Sequence, residues 1–182
     1  MYDPLVINWG STPDEMNLQL PGEEMIDETT CRTTKAVSIR AHGNEIWYWL
    51  RHPEPEFFAE DGSRFPFEEL DVGDIVNFHP RGSMMLARVL PDKTLVFIRN
   101  ENGKRTIVNN APLLVCWILH VYHSPSGDTR LISRLRYHEP HSIQAVIDNY
   151  MIHLYSFLSE RKLLLRIKRS AEKQTERYRL PI

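Results

Sequence analysis

Cysteine is scarce in this 182-residue chain: Cys31 and Cys116 are its only two, in neither a CxxC pair nor a metal-ligand spacing. That excludes a disulfide-stapled scaffold, and a reduced pair is expected. The eight glycines are dispersed, so no glycine-rich phosphate loop is present. No GxSxG or HExxH occurs, which removes the commonest nucleophile-elbow and zinc-protease signatures. Long hydrophobic runs are missing too: the longest, 111–119, falls well short of the ~20 residues of a membrane helix. The amino terminus has no basic region leading into an apolar run, and no N-glycosylation sequon occurs, so a cytoplasmic protein without membrane insertion is expected.

What remains is an ordinary globular composition. Apolar residues at 42% and charged residues at 25% suit one domain with a sizeable core. Charge is unevenly spread. Residues 1–30 hold seven acids (Asp3, Asp14, Glu15, Glu23, Glu24, Asp27, Glu28) and no Lys or Arg. Residues 161–182 hold eight bases against Glu172 and Glu176. An acidic arm lying near a basic helix of the same fold would account for this, as would two solvated segments. A nucleic-acid partner is not expected, because no groove-reading motif or aromatic stacking platform accompanies the charge.

Residues 1–32, with Pro4, Pro13 and Pro21, read as an extended arm, and 33–182 as a single domain. Seven strands are expected: 34–41, 74–79, 84–90, 94–101, 104–109, 113–123 and 129–138. Asn102-Gly103 supplies a hairpin turn between the fourth and fifth. A short helix from an Asn44 cap, with Ile46, Trp47, Trp49 and Leu50 as its apolar face, should end before Pro53. Trp47 and Trp49 lie about 200° apart on it, so one can be core and the other is expected near the helix edge or the arm. After Pro140 the period becomes helical, with Ile143, Ile147, Tyr150, Leu154, Phe157, Leu158, Leu164, Leu165 and Ile167 as a stripe that Arg161 interrupts.

This order, an antiparallel meander followed by one long helix, gives an α+β fold in which a curved sheet wraps a C-terminal helix. The chain resembles the helix-grip superfamily of START-like and polyketide cyclase/dehydrase-like proteins (the SRPBCC group). The resemblance lies in Trp9-Gly10, Leu20-Pro21-Gly22-Glu23, residues 33–39, Glu45-Ile46-Trp47-Tyr48-Trp49-Leu50, Val72-Gly73-Asp74, 129–134 and 164–172. It implies ligand binding in a general way. The segment after the first helix departs from the pattern, since the chain passes straight into His52-Pro53-Glu54-Pro55.

Strand alternation identifies a concave face. Burying Arg130, Arg134 and Arg136 beneath a helix is costly, so Thr129, Leu131, Ser133 and Leu135 face inward. By the same parity Leu131→Arg should be disruptive and Arg134→Leu mild. Val115, Trp117, Leu119 and Val121 follow by alignment with the resemblance. Val76, Phe78, Leu95 and Phe97 follow from alternation, and Tyr150, Met151 and Leu154 from the helix. Such a set is either core or the lining of an apolar pocket oriented by Ser133, Tyr150 and His153. His120 and His123, three apart on a strand, point to opposite faces and cannot chelate together; His138 and His141 flank a corner, where surface positions are the simpler reading. No metal or other cofactor is expected. Helix parity allows His153 or Asp148 as an acid or base, yet both are expected at the rim.

The expectation is therefore a carrier for an apolar small molecule of lipid or polyketide type. The alternatives are a cyclase, dehydrase or hydrolase using the same cavity, and an interaction module with a collapsed one. A buried carboxylate or His near the ligand would favour the enzyme. A homodimer is left open.

Overall fold

The computed structural model describes residues 4–26, 29, 31–53, 69–78, 82–100, 113–123, 128–137 and 143–179. Among them, six strands form one antiparallel open sheet: β1 (Cys31–Ile39), β2 (Ile75–Phe78), β3 (Gly82–Leu90), β4 (Thr94–Asn100), β5 (Leu113–His123) and β6 (Thr129–Tyr137). Their spatial order is β1-β6-β5-β4-β3-β2, so the first strand pairs with the last. Register shifts between Leu86 and Arg88, and between Arg99 and Asn100, mark the irregularities that help bend such a sheet.

The expected seven strands are thus six among the described residues. Segment 104–109 and its Asn-Gly turn lie outside the described residues. β4 itself is taken on both sides: Leu95 pairs with Val89 of β3 and with Leu119 of β5.

Helix α3 (Gly43–Arg51) stops before Pro53 as expected, but its cap is His42 rather than Asn44. The Glu45 carboxylate accepts from the His42 N–H at 2.9 Å, which closes the first turn. Ile46 and Leu50, four apart, are its buried pair. Neither tryptophan is a core residue: both Trp47 and Trp49 are half-buried against the cluster, and Trp49 Nε1 donates to Gln174 at 2.9 Å.

The long helix α4 (Ile143–Arg179) packs against β1 and α3. Polar clamps fix its direction: Lys168 Nζ donates to the Ser38 carbonyl at 2.6 Å, and Arg40 N–H to Glu172 at 2.9 Å. Thr175 Oγ1 donates to Glu45 at 2.7 Å. Its buried face carries Ser156, Glu160, Leu163, Leu164, Ile167, Ala171 and Thr175. The stripe expected from hydrophobicity is wrong at one turn, because Leu158 is 50% exposed while Ser156 and Glu160 point inward. Arg161, which interrupts the stripe, is exposed while the helix beyond it stays in the core, and its guanidinium sits 5.2 Å from the centre of the Trp9 ring.

Both faces of the sheet are covered. On the front, Val76, Leu95, Phe97, Trp117, Leu131 and Leu135 join α3 and α4 in one core cluster. On the back, Leu20 and Ile26 of the arm pack on Ala36, Val96, Ile98, Cys116, Ile118 and Ile132. Two-sided burial explains why β4 and β5 read as continuous apolar runs.

The arm is not simply extended. It contains α1 (Pro4–Ile7), α2 (Pro13–Asn17) and a single 3-10 turn at Glu23–Met25. Thr12 and Glu15 cap α2 reciprocally. Gly10 is required where the arm crosses β1: its φ is +69°, and a Cβ there would lie 2.3 Å from the Ala36 carbonyl oxygen.

Among the described residues, Glu15, Glu23 and Glu24 of this arm pair with arginines of the sheet. Arg130 forms a two-pronged pair with Glu15 at 2.6 and 2.7 Å. Burial raises the Glu15 carboxyl, but the hydrogen bonds from Arg130 and Thr12 and the charge of Arg130 outweigh it and hold the group below its ordinary range. Arg134 donates to Thr34 Oγ1 at 3.1 Å, to the Leu18, Glu15 and Met16 carbonyls and to the Glu23 carboxylate. Arg136 reaches the Glu23 carbonyl. The parity argument correctly turned these arginines away from α4, yet Arg134 is fully buried, which overturns the expectation that Arg134→Leu is mild. The arm does touch α4, through Trp9 set edge-on to Phe157 at 6.4 Å between ring centres.

Candidate functional site

The front face gathers the residues that strand parity singled out. Val76, Leu95, Phe97, Val115, Trp117, Leu119, Leu131, Ser133 and Leu135 are all buried, on the side covered by α3 and α4. The rings of Phe97 and Trp117 lie 5.1 Å apart on neighbouring strands, tilted by 31°. Leu154 is half-buried on α4. The side chains of Phe78, Asp148, Tyr150, Met151 and His153 lie outside the described residues, as do His138 and His141.

Inside this apolar wall runs a polar chain that crosses from sheet to helix. The Trp117 indole N–H donates to Ser133 Oγ at 2.9 Å, and the Ser133 hydroxyl donates to Glu160 Oε2 at 2.8 Å. Lys35 Nζ donates to the other oxygen of Glu160 at 2.9 Å and to Thr33 Oγ1 at 3.3 Å. The Lys35 and Glu160 side chains are 3% and 0% exposed, so the ion pair is removed from water. Register explains the convergence. Lys35 pairs with Ser133 across β1 and β6, and Ser133 with Leu119 across β6 and β5, which sets these side chains on one face. Glu160 descends onto them from α4.

One turn earlier on α4, Ser156 is 1% exposed, and its hydroxyl has no hydrogen-bond partner among the described residues. Four residues apart on a helix, Ser156 and Glu160 share a face. Ser133 was anticipated from the sequence; Lys35, Glu160 and Ser156 were missed. Lys35 shares the parity of Val37 and Ile39, and Glu160 lies four residues before Leu164, so periodicity carried a signal that charge obscured.

The histidines behave as strand geometry demands. His120 belongs to the back face, where its Nδ1 lies 2.8 Å from Thr94 Oγ1, while His123 faces Gly43 of α3. Burial pushes His120 down to about 4, and the charges of Lys93 and Arg134 add to this. Cys116 is buried on the back face, where desolvation pushes its thiol up to about 12, and Cys31 sits at the front, so the two do not form a disulfide. No group of three or more metal-ligating side chains is found among the described residues. Among them, no helix is long and apolar enough to cross a membrane.

No family model matches the chain, and no curated protein does. Solved structures do. A protein of unknown function from Staphylococcus aureus, SA2116, is similar with a TM-score of 0.50 at 5% identity, over 80% of this chain and 97% of that one. The Polyketide_cyc-like protein Cgl2372 from Corynebacterium glutamicum gives 0.47 at 12% identity, over 83% and 97%. At such identities the likeness is one of fold. The resemblance read from the sequence is met at that level: first strand beside last, and a long C-terminal helix on the sheet.

Proposed function

We propose that this protein binds an apolar small molecule between the front of its sheet and α4, as a carrier. The observation that carries the reading is the polar chain Trp117–Ser133–Glu160–Lys35 set in an otherwise apolar wall. An apolar surface with a few convergent polar groups is the usual composition of a small-molecule site. A buried ion pair is also a poor device for stability alone, since well-packed apolar residues of similar volume commonly do as well or better.

Native mass spectrometry of the protein purified from its own host tests this. An added mass that denaturation releases, belonging to a largely apolar compound, supports the carrier. Bare protein that also fails to take up any apolar probe overturns it.

The second reading, an enzyme of cyclase, dehydrase or hydrolase type, is favoured by one specific finding. Glu160 is a buried carboxylate on the face where the ligand would lie, and a proton acceptor there has Lys35 and Ser133 to hold it in place. Incubation of the recovered ligand with the protein separates the two readings: an altered product that Glu160→Gln abolishes selects the enzyme.

A further inference from the structure

We infer that the Ser156, Lys35 and Glu160 cluster recognises a neutral oxygen group, such as a hydroxyl or ketone, on an otherwise apolar ligand. This rests on the binding reading above and adds the chemistry of the recognised group.

Two hydrogen-bond capacities stand unused, one on Ser156 and one on Lys35, each next to Glu160. The Ser156 hydroxyl, 1% exposed, has no partner among the described residues. Lys35 Nζ spends two of its three hydrogens, on Glu160 and Thr33. Ser156 is one helical turn, about 6 Å of rise, from Glu160, the residue that holds Lys35. The other members are saturated in a different sense. The Ser133 hydroxyl accepts from Trp117 and donates to Glu160, so it has little left to offer. What the cluster lacks is an acceptor oxygen, and a ligand can supply one.

Charge then selects the kind of oxygen. Lys35 and Glu160 cancel each other in a site removed from water. A carboxylate ligand would bring a net negative charge beside Glu160, and an ammonium would bring a net positive charge beside Lys35. Neither is balanced there, and an unbalanced charge away from water is strongly disfavoured. An alcohol or ketone brings none, and a hydroxyl can also donate back to a free lone pair of Glu160.

The test is a titration of the full chain with five probes of equal chain length, decane, decanol, decanone, decanoate and decylamine, read by calorimetry at neutral pH. Decanol and decanone should bind about tenfold tighter than the other three, the discrimination expected when a buried polar group gains or lacks its partner. Ser156→Ala should remove most of the advantage of decanol over decane and leave decane unchanged. Glu160→Gln keeps the shape but leaves Lys35 unbalanced, so it should shift preference toward decanoate by about tenfold. If Glu160→Gln does not fold, Ser156→Ala decides. Tightest binding of decanoate or decylamine by the unaltered chain would overturn the inference, as would a decanol advantage untouched by Ser156→Ala. Equal binding of all five ends this inference and leaves the carrier reading standing; binding of none ends this inference, and together with bare protein from its own host ends the carrier reading too.

Discussion

Replacing Arg134 by leucine probes the closure of the back face. The guanidinium is fully buried, with Thr34 Oγ1 at 3.1 Å, three arm carbonyls and the Glu23 carboxylate as its acceptors. Leucine would suit the apolar layer of Ile118 and Ile132, but it donates nothing. Each buried acceptor left without a donor costs about 1–3 kcal/mol. Summed over five acceptors this exceeds what the arm can bear, so the arm should detach locally and let water in. The loss is then capped near that of breaking a buried pair from one side, about 3–5 kcal/mol. Against a total of about 5–15 kcal/mol for an ordinary domain, that is a large fraction. Urea unfolding followed by far-UV circular dichroism measures it, and limited proteolysis reports whether the arm has become accessible. A double-mutant cycle with Glu23→Gln should show coupling of about 1 kcal/mol or more, because the two side chains form one network. An Arg134→Leu protein within about 0.5 kcal/mol of the original, with an arm no more accessible to protease, would refute the reasoning.

The remaining predictions concern the front face, the back-face histidine and the arm crossing. Lys35→Met strands the Glu160 carboxylate and should cost about 3–5 kcal/mol, whereas Lys35→Met with Glu160→Leu should recover most of it; urea midpoints compare them. His120, held down to about 4 by burial, binds its proton less readily folded than unfolded, where 6.5 is the reference. Its contribution to stability is therefore complete above about pH 6.5 and declines as pH falls toward 4, by on the order of 3 kcal/mol. His120→Gln should flatten the stability profile across that window, which thermal melts over a pH series would reveal. Gly10→Ala forces a side chain against the Ala36 carbonyl at a positive φ and should lower stability by more than about 1 kcal/mol, with the loss again visible as arm proteolysis.

The sequence was most legible where one face of a strand could be told from the other. Val115, Trp117, Leu119 and Val121 of β5 and Leu131 and Leu135 of β6 reach the front core as alternation required, and the arginines of β6 turn away from α4. What alternation could not say is whether the back face meets water. Arginine there looked like a solvent marker, but its side chain can hydrogen-bond five ways at once, and the arm presents backbone carbonyls to it. The continuous run Val115-Cys116-Trp117-Ile118-Leu119 was the available sign that both faces are covered. On α4 the failure came from ranking by hydrophobicity. The stripe included Leu158 and left out Glu160, while spacing back from Leu164 and Ile167 places Glu160 with the core. The expected Asn-Gly hairpin lies outside the described residues; β4 pairs with β5, a strand that starts thirteen residues after β4 ends, a partner that local turn chemistry does not specify.

These two misreadings share a physical origin and divide the molecule by purpose. On the back, charge is used to fasten: arginines of β6, with Arg88 of β3, hold carbonyls and carboxylates of the arm. On the front, charge is sparing, and its donors are not all spent, since Lys35 keeps one hydrogen and Ser156 its hydroxyl. A fold under selection for stability alone has no use for a buried pair with unspent donors beside it, because apolar replacement removes the desolvation penalty at once. If the Lys35→Met, Glu160→Leu protein is as stable as the original but no longer distinguishes decanol from decane, the front-face polarity serves recognition. If it is as stable and still makes that distinction, the pair has no part in selecting a ligand.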